Sequence, residues 1–338
     1  MSANKNYCAI CFIWVFNMTT PNDAIAPHAA VQSDNQTVIA FGETLVDQFR
    51  DRNVLGGAPF NVACHLGALG AHPVLVTRAG KDALGDQLLQ AMSERGLDLR
   101  GVQRDPSRPT GRVKVTETAR GHAFDILSDQ AYDHIHARPA RMVGLSLHPQ
   151  MVYFGTLSQR GDSRRALREL LDTVDACAFL DVNLRDPWVD ADILRWSLQH
   201  ARVAKLNEDE LDRIGDLFAL DGATPQARAA VLLSGFDLQR VVVTRGSAGA
   251  WTLDAAGRIE SVDGMPLDQI VDTVGAGDGF SAVLMLGMLR GWSLADQLAR
   301  ADAFARALCG IRGAVPASQD FYRPFIRDWK IQTEVMRA

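Results

Sequence analysis

Asp272-Thr273-Val274-Gly275-Ala276-Gly277-Asp278 leads into Gly279 to Leu289, an almost wholly apolar stretch of helical length. A helix that is apolar all round belongs in the interior, so a buried helix is expected behind this turn. The first N–H groups of a helix have no partner within it and present the positive end of its dipole. With Gly275 and Gly277 letting a ligand approach the backbone, the turn reads as an anion hole. Asp278 has two readings. It is either a first-turn charge that steadies the helix, or a base that deprotonates an attacking hydroxyl while the neighbouring amides hold a phosphoryl group.

Toward the N-terminus, Gly56-Gly57-Ala58-Pro59-Phe60-Asn61 is a double-glycine turn running into a helix, with proline where a first turn accepts it. Gly57 lets a small polar ligand touch the backbone, and the Asn61 amide can both give and accept hydrogen bonds to a polyol. Asp47 can add a carboxylate that accepts from two hydroxyls; its competing reading is a solvated loop acid.

Between these motifs, short β-rich runs alternate with amphipathic stretches. Strands are expected at Thr37 to Phe41, Val74 to Arg78, Met151 to Phe154, Cys177 to Val182, Val203 to Leu206 and Val241 to Thr244. Helices are expected at Asn61 to Leu69, Leu84 to Glu94, Ser163 to Val174 and Pro225 to Leu233, from apolar residues three and four apart. The class is doubly wound α/β, a mainly parallel sheet with helices on both faces. One region breaks the alternation: Arg112 to Thr118 and Ala123 to Leu127 read as a hairpin turned by Ala119-Arg120-Gly121-His122. With the segment 46–54, residues 111–128 are expected to form a small β-lid.

The 338 residues are 47% hydrophobic and 22% charged, ordinary for a globular chain, with net charge -5. No basic field of the kind that neutralises nucleic-acid phosphates is present, which argues against a nucleic-acid partner. Cys8, Cys11, Cys64, Cys177 and Cys309 make no paired framework and read as reduced thiols, so the expected compartment is the cytoplasm, with no membrane partner. Residues 1–36 are expected to be a disordered leader. The apolar run Tyr7 to Phe16 and the small residues Ala24 to Ala30 also resemble a weak secretory signal, and Met18 is an alternative start.

The two glycine motifs together resemble the PfkB (ribokinase-like) family of carbohydrate kinases from about Thr37 to about Pro316. The segments Leu66-Gly67-Ala68-Leu69-Gly70 and Gly80-Lys81-Asp82-Ala83-Leu84-Gly85 are similar to further family motifs. Gly42-Glu43 followed by Asp47, and Asp181-Val182-Asn183-Leu184-Arg185, look most like its fructokinase branch. The resemblance implies a kinase domain over 37–330 that transfers the ATP γ-phosphoryl group to a sugar hydroxyl, most simply fructose to fructose 6-phosphate.

It implies Asp278 as the general base and Gly275, Ala276 and Gly277 as the anion hole. Asp47, Gly56, Gly57 and Asn61 are implied at the sugar. Asn207 and Glu210 are implied to organise Mg2+ and its waters, although an acidic first turn by itself is usually only a stable helix start. Asn183 and Arg185 lie just past a strand, where an open sheet collects ligands, and a guanidinium suits phosphate oxygens. An ion pair of Arg185 with Asp186 or Asp181 is the alternative. Thr244, Gly246 and Gly249 resemble the nucleotide-binding stretch, in which Arg245 stands where lysine is commoner. Asp272 and the loop Cys309 to Pro316 resemble the part that, in some members, holds a monovalent cation such as K+. A homodimer through the lid is common among relatives and expected here.

His122, Phe124, Tyr132 and Arg160 can face the sugar or can be ordinary lid packing. Other substrates stay open: 2-keto-3-deoxygluconate, ribose or a nucleoside such as adenosine. A Rossmann dehydrogenase would need G-x-G-x-x-G after the first strand, and a P-loop kinase G-x-x-x-x-G-K-[ST]; neither is present. A non-catalytic sugar sensor is the remaining rival, and Asp278 and Glu210 argue against it.

Overall fold

Strand β1 (Thr37–Phe41) is buried from end to end and splits its side chains between two cores. Val38 and Ala40 join one apolar cluster, Ile39 and Phe41 the other. A strand covered on both faces reads as a continuous apolar run, and Thr-Val-Ile-Ala-Phe is one. The structure is a computed structural model that describes residues 36–50, 52–118, 121–265 and 269–331. The leader with Cys8 and Cys11, the turn residues Ala119 and Arg120, and the side chains of His122 and Phe124 lie outside the described residues.

The strands are β1, β2 (Leu45–Gln48), β3 (Asn53–Gly56), β4 (His72–Gly80), β5 (Val102–Asp105), β6 (Gly111–Thr118), β7 (Gly121–Ile126), β8 (Met151–Gly155), β9 (Cys177–Asp181), β10 (Val203–Asn207), β11 (Arg240–Thr244), β12 (Gly249–Asp254) and β13 (Ile259–Asp263). Nine of them form one sheet in the order β13-β12-β11-β10-β9-β8-β1-β4-β5. Pairing is parallel from β5 to β11, and β12 and β13 add an antiparallel edge.

The helices are α1 (Ala58–Ala68), α2 (Ala83–Glu94), α3 (Ala137–Leu147), α4 (Ser163–Leu171), α5 (Ala191–His200), α6 (Glu208–Phe218), α7 (Pro225–Gly235), α8 (Ala276–Leu289), α9 (Leu294–Cys309) and α10 (Arg323–Asp328). One core holds residues of α1, α2, α8 and α9, and the other residues of α3 to α7, so helices cover both faces. This is the doubly wound architecture expected. Helix α8 packs against α1 and α9 and is buried from Gly279 to Gly287, which accounts for its apolar sequence on every side.

A second sheet of order β3-β2-β6-β7 stands apart from the first. The expected segment 46–54 is two strands, and β2 pairs with β6 in parallel across the long connection between them. Other differences have local causes. Helix α1 starts at Ala58, ahead of the expected Asn61, because Pro59 occupies its first turn. Helix α4 ends at Leu171, short of Val174. The edge hairpin β12–β13 was not expected; its turn runs through Gly257 at φ +76, with the Asp254 carboxylate accepting from the N–H groups of Ala256 and Arg258.

Candidate active site

From β1 the sheet is built in two directions, through β4 and β5 on one side and through β8 to β11 on the other. Such a reversal leaves a crevice beyond the carboxyl ends of the strands, where open α/β sheets bind ligands. The chain leaving these strands brings Glu43, Asp181, Asn183 and Asn207 to that end.

The N-terminus of α8 carries the glycine turn. Gly275 is its N-cap with φ +79, and a Cβ at that position would overlap Ala314. Glycine is therefore required twice, by conformation and by space. Gly275 offers no side-chain cap. The Ala276 N–H turns back to the Thr273 carbonyl at 3.3 Å and the Gly279 N–H donates to Gly275 at 2.9 Å. The N–H groups of Gly277 and Asp278 find no backbone acceptor among the described residues. Gly277 is exposed, so these donors are available to an anion.

Asp278 is held from outside the turn. The Asn61 amide donates from Nδ2 to Asp278 Oδ2 at 2.7 Å, across 217 residues of sequence. Burial pushes the Asp278 carboxyl up to about 6, the Asn61 hydrogen bond opposes that rise, and the Asp181 charge adds to it. A carboxylate near this value is poised to exchange a proton at neutral pH.

Beneath the turn lies a buried polar cluster. Lys205 Nζ sits 3.0 and 3.1 Å from the two Asp181 oxygens and 3.4 Å from the Gly277 carbonyl. Ser281 donates to Asp181 Oδ2 at 2.8 Å and Tyr153 at 3.3 Å. Burial pulls the Lys205 ammonium down, and the Asp181, Glu210 and Asp278 carboxylates together more than offset it and leave the group above its ordinary value. The Gly277 carbonyl points at Lys205. In a planar trans peptide the following N–H points the opposite way, so Asp278 presents its N–H toward the crevice.

Asn207 and Glu210 form a capping box at the start of α6: Glu210 N–H donates to Asn207 Oδ1 at 2.8 Å and Asn207 N–H to Glu210 Oε2 at 2.9 Å. The other Glu210 oxygen accepts from Leu184 N–H at 2.8 Å, tying α6 to the segment after β9. Each oxygen keeps a lone pair, which suits an ordered water better than direct metal ligation. Among the described residues no group of His, Cys, Asp and Glu is arranged to hold a metal ion by itself.

Asn183 has φ +42. Arg185 is exposed, and its Nη1 donates to the Leu184 carbonyl. Arg185 pairs with neither neighbouring acid, because Asp186 pairs with Arg213 at 2.6 Å and Asp181 with Lys205. Thr244 ends β11, and Gly246 has open space around it. A Cβ at Gly249 would overlap the Val262 carbonyl, so the β12–β13 hairpin already requires glycine there. Arg245 lies along that hairpin, 3.4 Å from the Val262 carbonyl and 3.8 Å from Asp263. Asp272 accepts from Val274 N–H and Gly313 N–H, both at 3.0 Å, and so pins the Cys309 to Pro316 loop.

In the second sheet Asp47 faces Gly56, where a Cβ would come within 3.2 Å of Oδ2, and burial raises its carboxyl to about 6. Gly57 has φ +106, and a Cβ there would lie 2.6 Å from the Glu43 carbonyl oxygen. Arg160 is committed to Asp133 at 2.8 Å and to the Tyr132 hydroxyl at 2.6 Å, and Tyr132 is fully buried.

Two residues without a role in the sequence reading stand out. Glu43 is 4% exposed, and its Oε2 has no hydrogen-bond partner. Burial pushes its carboxyl up to about 7, and repulsion from Asp278 contributes. Lys205 carried a signal in the sequence: it is the one charge in the apolar strand Val-Ala-Lys-Leu-Asn, and a charge in a buried strand needs a partner.

The defining pattern of the pfkB family carbohydrate kinases matches residues 24–320 of this chain. Fructokinase-2 of Zea mays is 28% identical over 316 residues, covering 84% of this chain and 91% of the relative. Among solved structures, a fructokinase from Xylella fastidiosa with bound ATP superposes with TM-score 0.75 at 21% identity, covering 88% of this chain and 99% of that one. An aminoimidazole riboside kinase from Salmonella enterica, complexed with aminoimidazole riboside and an ATP analog, gives TM-score 0.70 at 21% identity, with 86% and 99% covered. The likeness in structure is one of fold; the match over most of the chain assigns the protein to the pfkB family of carbohydrate kinases.

Proposed function

We propose that this chain is a fructokinase-like enzyme that transfers the γ-phosphoryl group of ATP to fructose, giving fructose 6-phosphate and ADP. The observation that carries the reading is Asp278, gripped by Asn61 at 2.7 Å at the mouth of a turn whose next donors are open. Asp278 takes the proton of the sugar hydroxyl as its oxygen bonds to the γ-phosphorus. The bond from that phosphorus to the bridging oxygen breaks, and ADP leaves with the electron pair. The N–H groups of Gly277 and Asp278 receive the charge that develops on the transferring group, and the exposed Arg185 guanidinium supports it from the β9 side.

Asp47, Gly56 and Gly57 would line the sugar, with the small sheet as a lid over it. Asn183, Asn207, Thr244, Gly246 and Gly249 would line the nucleotide. Glu210 would hold Mg2+ through water, and the ion would neutralise phosphate charge when bound. Potassium beside Asp272 is part of the same reading, as are a homodimer through the second sheet and a cytoplasmic setting. No helix of the described residues is long and apolar enough to cross a membrane.

Support for fructose comes from the maize relative named a fructokinase and from Gly42-Glu43 and Asp181 to Arg185. ADP release with ATP and Mg2+ across fructose, glucose, ribose, 2-keto-3-deoxygluconate and adenosine, with and without K+, tests it. Turnover greatest with fructose is expected. Turnover greatest with another compound would move the substrate, and none with any would remove the mechanism. Size-exclusion chromatography showing only monomer would remove the dimer.

A further inference from the structure

Asn61 and His65 are one turn apart on α1 and share a face. Asn61 reaches Asp278, at one end of the glycine turn. His65 is fully buried, with Nε2 3.0 Å from the Ala314 carbonyl and Nδ1 3.0 Å from the Tyr322 hydroxyl. Ala314 is the residue against which Gly275, at the other end of the turn, is packed without room for a Cβ.

We propose that His65 is a positioning residue for the anion-binding turn, fixing Gly275 through Ala314 while Asn61 fixes Asp278. One helix face thereby grips both ends of the turn. The inference rests on the kinase reading above and does not depend on which sugar is used.

The chemistry of the ring defines the arrangement. A carbonyl only accepts, so Nε2 carries the proton and donates to Ala314. Nδ1 then accepts from the Tyr322 O–H, which selects this neutral tautomer. Burial holds the imidazole down at about 4, so it stays neutral through the physiological range. Phe304 meets the ring edge-on at 5.3 Å and closes it from water. Ala314 follows Gly313, whose N–H is held by Asp272, so the loop is pinned on both sides of the contact with Gly275. A loop pinned by hydrogen bonds at successive residues moves little when charge develops nearby, the condition for preorganised stabilisation of a transferring group.

His65→Leu keeps an apolar side chain of similar bulk and removes both hydrogen bonds. A displaced catalytic group costs rate more than ground-state binding, so kcat is expected to fall about ten- to hundredfold while KM for ATP and sugar stays within about twofold. His65→Gln, which can still donate to Ala314, is expected to recover most of that loss. Should the leucine variant fail to fold in a thermal melt, His65→Asn, too short to reach Ala314, carries the comparison with His65→Gln. A folded His65→Leu or His65→Asn with parental kcat, a rise in KM at constant kcat, or a glutamine variant as slow as the leucine one would overturn the inference. A parent enzyme inactive with every sugar would overturn the functional reading and this inference together.

Discussion

Two helices begin at the same crevice with an acid in the first turn, and they use it in opposite ways. At α6, Asn207 and Glu210 satisfy each other's backbone N–H groups, and the helix start is closed by its own side chains. At α8 the cap is Gly275, which has no side chain to offer, and Asp278 is turned away to meet Asn61 of another helix. The first start is self-sufficient, whereas the second stays open because distant elements hold it. A helix N-terminus becomes a site for an incoming anion when its own side chains decline to cap it.

The largest effect that sharpens this contrast is at Asp278. Asp278→Asn should lower turnover by about two to four orders of magnitude, the usual contribution of a general base, with a normal thermal melt. Near-parental activity would erase the distinction between the two starts. Gly275→Ala comes next, because its methyl must displace Ala314 from a left-handed backbone. A loss of about 1 to 2 kcal/mol is expected from the backbone conformation alone, with further cost from the clash, read as a lowered melting temperature together with lowered kcat.

Asn61→Ala removes the hydrogen bond that opposes the rise of the Asp278 carboxyl. The acidic limb of the kcat/KM profile, expected near 6 in the parent, should shift to higher pH, and an unmoved limb would assign it to another group. The smallest effect belongs to α6: Asn207→Ala should cost about 1 kcal/mol of stability, typical of a lost N-cap, seen in denaturant unfolding.

Stability and activity should respond to pH in opposite senses. Burial raises the carboxyls of Glu43 to about 7 and of Asp278 and Asp47 to about 6. Between their ordinary values and these raised ones the folded state binds more protons than the unfolded state, so this contribution is full at low pH. It is lost as pH rises through 6 to 7, the interval in which a basic Asp278 becomes active. Denaturant unfolding followed across that interval should show the decline, smaller in Asp278→Asn; an unchanged slope in that variant would separate Asp278 from it.

Much of this was legible in the chain. Local rules sufficed for the buried helix after Gly275, for the parallel strands with their apolar runs, and for the glycines at tight turns. They fell short at the edge hairpin β12–β13 and at β3, where β12 is buried along its whole length, β13 is short and largely exposed and β3 is short and half-exposed, so that none shows a clean period of two. They marked Lys205 as a lone charge in an apolar strand but not its partner, because Asp181 lies one strand away.

The sequence by itself determined the class of fold, the position of the glycine turn before the buried helix and the membership of the kinase family, because each is written in residues that are neighbours along the chain. Only the tertiary structure decided that Asn61 would hold Asp278, that Lys205 would sit under Gly277 and that His65 would brace Ala314. Those partners are 217, 72 and 249 residues apart, and their meeting depends on strand order and helix packing rather than on any local periodicity.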